Sequence, residues 1–131
     1  MGAGLAAAAM LAGLIPATTQ GPALCPPPRL EPITGESLAD YWVAQPTRDE
    51  MISAFPKQAI AERVSGRVGL LCAVGGGGAL VECQVQTEEP GGYGFAQAAI
   101  RLSGRFRLLE TVDGCPTRGG RVGFPINFRV R

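Results

Sequence analysis

Along the C-terminal stretch Gly120 to Arg131, Val122, Phe124, Ile126, Phe128 and Val130 fall on every second position, with Arg121, Asn127 and Arg129 among the residues between them. Successive side chains of a strand point to opposite faces, so this alternation predicts a strand with one apolar and one polar face. Val68, Leu70, Cys72 and Val74 carry the same period, and a partner strand is expected from Ala79 to Val85. The four glycines between them, Gly75 to Gly78, read as a hairpin connection that uses left-handed backbone. A phosphate-cradling loop would need a strand-to-helix setting and usually a following Lys, and neither is present. Further on, Phe95, Ala98, Ala99 and Leu102 stand at i, i+3, i+4 and i+7, which is one apolar face of a helix.

The remaining elements are shorter. Thr47-Arg48-Asp49-Glu50 has the form of a capping box, so a helix is expected over Arg48 to Ala54. Pro56 suits the first turn of a second helix, Pro56 to Val64, whose buried positions would be Ala59, Ile60 and Val64. Glu88-Glu89-Pro90-Gly91-Gly92 reads as a loop, Arg105 to Thr111 as a short extended segment, and Asp113-Gly114-Cys115-Pro116 as a turn. Pro125 has no N–H to give to a ladder, which puts the last strand at a sheet edge or beside a bulge. An edge is where another chain can pair.

The stretch before these elements differs in kind. Met1 to Ala17 is apolar, broken by Gly and ended by Pro16, and the first charged residue of the chain is Arg29. A helix that spans a bilayer needs about 20 residues, so the run is short for that purpose. Residues 1–23 are therefore expected to be a signal peptide, with small residues at Ala17-Thr18-Thr19 or Gly21-Pro22-Ala23 for cleavage, or else a short apolar anchor. No Lys or Arg precedes the run. Leu24 is large for the position before a lipid-modified cysteine, which argues against that role for Cys25. Residues 24–39 are proline-rich and aperiodic, an extended spacer that leaves one small domain at 40–131. At roughly 90 residues such a domain is limited to a single modest core.

Charge and composition narrow the chemistry. The net charge of +1 argues against a nucleic-acid partner, whose affinity would rest on many Lys and Arg contacts to phosphate. Arg101, Arg105, Arg107, Arg118, Arg121, Arg129 and Arg131 crowd the end of the chain while Glu82, Glu88 and Glu89 cluster earlier, so two oppositely charged faces are expected. The chain contains no His, which removes the commonest general base and metal ligand. Glu88-Glu89 is an adjacent acidic pair of the expected domain, and a solvated loop accounts for it. No catalytic residue, cofactor or metal site is expected.

Four segments carry a family resemblance. They are FPKQAIAERVSGRVGLLC at Phe55 to Cys72, GALVECQV at Gly78 to Val85, EEPGGYGFAQAAIRLSGRFR at Glu88 to Arg107, and DGCPTRGGRVGFPINF at Asp113 to Phe128. In this order they resemble the C-terminal domain of TonB-family energy transducers. The resemblance implies an α+β fold, a small antiparallel sheet of about three strands with helices packed on one face. It implies a periplasmic binding module, free or tethered to the inner membrane, that contacts an outer-membrane receptor or other envelope protein in support of transmembrane transport. In the family the partner's TonB box adds as a strand to an exposed edge, and the matching residues here are Arg121, Val122, Gly123, Phe124, Ile126, Asn127, Phe128 and Arg129. Full transducers have a long linker and commonly a His in the anchoring helix. This chain has a short spacer and no His, which sets coupling to the proton-motive force apart from partner binding. The alternative is a structural envelope domain that dimerises through the same edge.

Cys72 and Cys83 lie on the two arms of the expected hairpin, and an even cysteine count in a small exported domain favours a disulfide between them. Their other reading is a pair of buried thiols. Cys25 and Cys115 pair with each other, stay free or link chains, and spacing does not choose. The four are scattered without a C-x-x-C unit, unlike a zinc site.

Overall fold

The computed structural model describes Cys25 and residues 33–130. The expected signal or anchor segment at 1–23, and the spacer apart from Cys25 and residues 33–39, lie outside the described residues.

The described chain is an α+β fold, and the two strands with the clearest alternation form the middle and one edge of its three-stranded sheet. β2 (Gly66–Val74) buries Val68, Leu70, Cys72 and Val74. It pairs antiparallel on one side with β3 (Leu80–Glu89) and on the other with β7 (Arg121–Phe128), giving the sheet order β3-β2-β7. The β2–β7 register runs without interruption from Gly66↔Phe128 to Ala73↔Arg121. Val122, Phe124, Ile126 and Phe128 thereby join the buried face of β2. Cys72 and Cys83 form a disulfide across the hairpin.

β3 is longer than the alternation suggests. Glu88 and Glu89, expected in a loop, continue the strand opposite Val68 and Arg67. The added length comes with two register shifts, between Gly69 and Leu70 and between Leu71 and Ala73. At the second, Glu82 takes a left-handed φ of 51°. Such bulges lengthen one strand against its partner and break the regularity of an outer edge. The hairpin turn is a 3-10 turn over Gly76–Gly78, with Gly77 and Gly78 at φ 68° and 77°. A Cβ on Gly78 would collide with the Leu108 carbonyl, so this position has both a backbone and a steric reason to be glycine.

The helical side of the sheet is built from α4 (Phe95–Ser103), whose Phe95, Ala98, Ala99 and Leu102 are all buried. Phe95 lies 5.2 Å from Phe128 and 5.8 Å from Phe55, ring centre to ring centre, in the middle of the core. Gly66 faces the same ring, and a Cβ there would overlap it. In α2 (Arg48–Ala54) the capping box forms as expected: the Thr47 N–H donates to Glu50 Oε1 at 2.9 Å and the Glu50 N–H donates to Thr47 Oγ1 at 3.2 Å.

The helix α3 covers only Lys57–Ala61, not Pro56 to Val64, because the chain leaves it through Arg63 at φ 56°. With so short a helix only Ala59 reaches the core, whereas Ile60 is 48% exposed and Val64 is half-buried. The expected extended segment at Arg105 to Thr111 is divided between β4 (Arg107–Leu108) and the start of β5 (Thr111–Val112). β4 pairs with β1 (Trp42–Ala44). β5 pairs with β6 (Cys115–Pro116) across Asp113 and Gly114, both left-handed at φ 54° and 80°. That two-residue connection matches strand twist, so the expected turn is the tip of a small hairpin.

The fold also begins before Asp40. α1 (Glu36–Ala39) buries Leu38 to 2% exposure, and Ile33 pairs with Val122. Residues 33–39, assigned to the spacer by composition, therefore belong to the folded body. Cys25 is disulfide-bonded to Cys115.

Candidate functional site

The outer edge of β7 is where main chain and apolar side chains meet outside the sheet. Adjacent residues of a strand direct their N–H and C=O groups to opposite sides. Ile33 bonds to Arg121 and Gly123, so these two direct main-chain groups away from β2, and by alternation Pro125 and Asn127 do the same. The eight residues expected to bind a partner divide accordingly. Val122, Phe124, Ile126 and Phe128 send their side chains into the core, and their main chain faces β2. Arg121, Gly123 and Asn127 face outward, and Arg129 is exposed just past the strand.

Part of this edge is taken within the chain. The Ile33 N–H donates to the Arg121 carbonyl at 2.9 Å, and the Gly123 N–H donates to the Ile33 carbonyl at 3.0 Å. This is a parallel bridge with Val122 at its centre. It stops there for a local reason. Pro125 occupies the next outward position and has no N–H to offer, and Gly35, at φ 73°, turns the chain into α1. Beyond Gly123 no described strand pairs with the outer side of β7.

Beside the unpaired part runs a groove of about 700 Å³, bounded by Pro125 and Asn127 and lined by Leu38, Trp42, Met51, Phe106, Phe124 and Ile126. Three of these rings form its aromatic wall: Trp42 lies 4.9 Å from Phe106 and 5.1 Å from Phe124, and Phe106 lies 4.8 Å from Phe124. Trp42 is placed by the β1–β4 pair, in which it stands opposite Leu108, and by the bond from the Leu109 N–H to the Tyr41 carbonyl at 2.8 Å. Phe124 and Ile126 thus serve the site through the flanks of buried side chains.

No family model matches the chain, and no curated protein matches it.

The edge and groove can hydrogen-bond an extended main chain and bury an apolar side chain. The groove lining contains no charged side chain. Arg121 lines one shallow pocket together with Glu82, and Arg129 lines another together with Arg67 and Glu89, so basic and acidic side chains expected on two opposite faces meet across the sheet. Glu88 has a structural task, since its Oε2 accepts from the Ala96 N–H at the start of α4 at 3.0 Å. Among the described residues no three His, Cys, Asp or Glu side chains are grouped as a metal site would need, and no buried side-chain polar atom lacks a partner. No helix among the described residues is long and apolar enough to cross a membrane.

Sequence reasoning placed the edge but missed Ile33, Leu38, Trp42 and Met51. Ile33 and Leu38 sat in a stretch whose proline content marked it as spacer. Trp42 and Met51 meet β7 only through tertiary packing, and the one available signal was the apolar pair Trp42-Val43 after Tyr41.

Proposed function

We propose that the protein is a periplasmic binding module of the TonB C-terminal kind. It accepts an extended segment of an outer-membrane receptor or another envelope protein as an added strand on the outer edge of β7, in support of transmembrane transport. One observation carries this reading: outward main-chain groups at Pro125 and Asn127, unpaired by any described strand, border a groove lined by Trp42, Met51, Phe106 and Ile126. Main-chain bonds supply affinity in this mode, and pockets for alternate side chains supply selectivity. Two disulfides fit an oxidising compartment.

A symmetric dimer through β7 is the second reading, and the edge disfavours it. Antiparallel pairing of two copies needs a run of donors and acceptors, and Ile33 blocks one end while Pro125 removes a donor in the middle.

Substituting Asn127→Pro tests the reading. It deletes an outward N–H and leaves the bonds to β2 in place, so the fold is expected to survive. Affinity for a TonB-box peptide should fall at least tenfold, measured by fluorescence anisotropy against a circular-dichroism control. Undiminished binding by a folded Asn127→Pro protein would remove strand addition at this edge.

A further inference from the structure

We propose that Ile33 is a built-in competitor for the outer edge of β7, and that the Cys25–Cys115 disulfide sets how firmly it holds. The inference rests on the reading of this edge as a strand-binding site. Ile33 already makes the two main-chain bonds that a docked strand would make at Arg121 and Gly123. Two neutral hydrogen bonds exchange with water at little net gain, too little to order a chain segment unaided. Ile33 is restrained from both sides instead. On its C-terminal side Leu38 is buried in the core. On its N-terminal side Cys25 is bonded to Cys115 in β6.

Cys25 precedes Ile33 by few enough residues that the intervening chain, even fully extended at about 3.5 Å per residue, reaches less than about 30 Å. A closed disulfide therefore keeps Ile33 near the edge when it lifts off, and a short tether gives the competitor a local concentration in the millimolar range. An incoming strand must work against that concentration. Opening the disulfide removes one of the two restraints and leaves Leu38 alone to guide Ile33 back. The accessible edge then extends from Asn127 toward Arg121, past the gap at Pro125.

The two disulfides differ in exposure, so one of them can be opened selectively. Cys25 is exposed and Cys115 half-buried, whereas Cys72 is 1% exposed and Cys83 half-buried, so Cys25 is the sulfur a reductant reaches most easily. A dithiol reductant supplies the chemistry. Its thiolate attacks one sulfur of the Cys25–Cys115 pair and breaks that bond, forming a mixed disulfide. Its second thiol then displaces the remaining cysteine. The reductant leaves as a disulfide, and two electrons and two protons end on Cys25 and Cys115.

Residue-resolved amide exchange on the full chain reads the competitor directly, because the Gly123 N–H is bonded to Ile33. Mild dithiothreitol treatment, with mass mapping to show Cys72–Cys83 intact, should lower the protection of Gly123 at least tenfold and leave Val122 and Phe124 unchanged. The Cys25→Ser/Cys115→Ser protein should behave alike without reductant. Should that protein fold poorly, Ile33→Pro removes the donor to Arg121, keeps both disulfides, and should also release Gly123. A TonB-box peptide should bind the opened forms at least tenfold more tightly than the oxidised protein. Unchanged Gly123 protection after the disulfide is opened overturns the proposal. Lost protection with no peptide bound by any form upholds the competitor and sinks the strand-binding reading.

Discussion

Gly66 is held to glycine by the ring of Phe95, and the two residues together show how locally the core is set. Gly66→Ala should destabilise the protein by about 1–3 kcal/mol, the usual cost of forcing atoms into a packed interior. Phe95→Ala leaves a void among Phe55, Phe128 and Tyr93 and should cost about 3–5 kcal/mol, both read from urea unfolding midpoints. Glu50 supplies a pH signature. The Thr47 N–H holds its carboxyl below the usual carboxylate range, and Arg105, whose Nε lies 2.9 Å away, adds to the effect. A lowered folded-state value means stability that is present above the unfolded value of about 4.3 and is lost as pH falls through the folded value. Glu50→Gln can still accept from Thr47 but does not ionise there. Its thermal midpoint relative to the wild type should therefore rise as pH drops from 6 to 3, and a constant difference would contradict the assigned role.

The elements that were legible in the sequence are those whose cause is local. The periods of β2, β7 and α4 follow from which side must be buried, and the Thr47–Glu50 box from the needs of a helix start. Pro125 marked an edge before any partner strand was known, because a missing N–H is tolerated only on an outward position. The limits of β3 were not legible: its last residues carry charge, and only the length of β2 opposite explains why they remain in the ladder. α3 was overestimated for a similar reason, since the left-handed turn at Arg63 that ends it is not marked by a Gly. The cysteine spacing on the β2–β3 hairpin was informative, and removing the pair as Cys72→Ala/Cys83→Ala should cost roughly 3 kcal/mol through the freer unfolded chain. Differential scanning calorimetry against the parent gives that figure, and an unchanged midpoint would show that the bridge adds nothing to the hairpin. Pro125→Ala restores an outward donor, so concentration-dependent association by sedimentation velocity should appear in the variant and be absent from the parent.

At the scale of the molecule, the candidate site is assembled from residues that lie far apart in sequence. Ile33 and Val122 meet across most of the chain, as do Cys25 and Cys115, and composition alone gave the first of each pair to a spacer. The candidate site was therefore half legible: the sequence pointed to the edge strand but not to the groove beside it or to the residue that shares its edge. β7 is an edge in two parts, closed at Arg121 to Gly123 by the chain itself and unpaired by any described strand from Pro125 onward. β3, at the other edge, is irregular and acidic. Titration of the isotopically labelled protein with a TonB-box peptide, followed through every backbone amide, tests this most directly. The Asn127 and Arg129 amides should shift and become protected from exchange while the outer residues of β3 do not. Protection confined to β3, or no protected amide on either edge at saturating peptide, would contradict it.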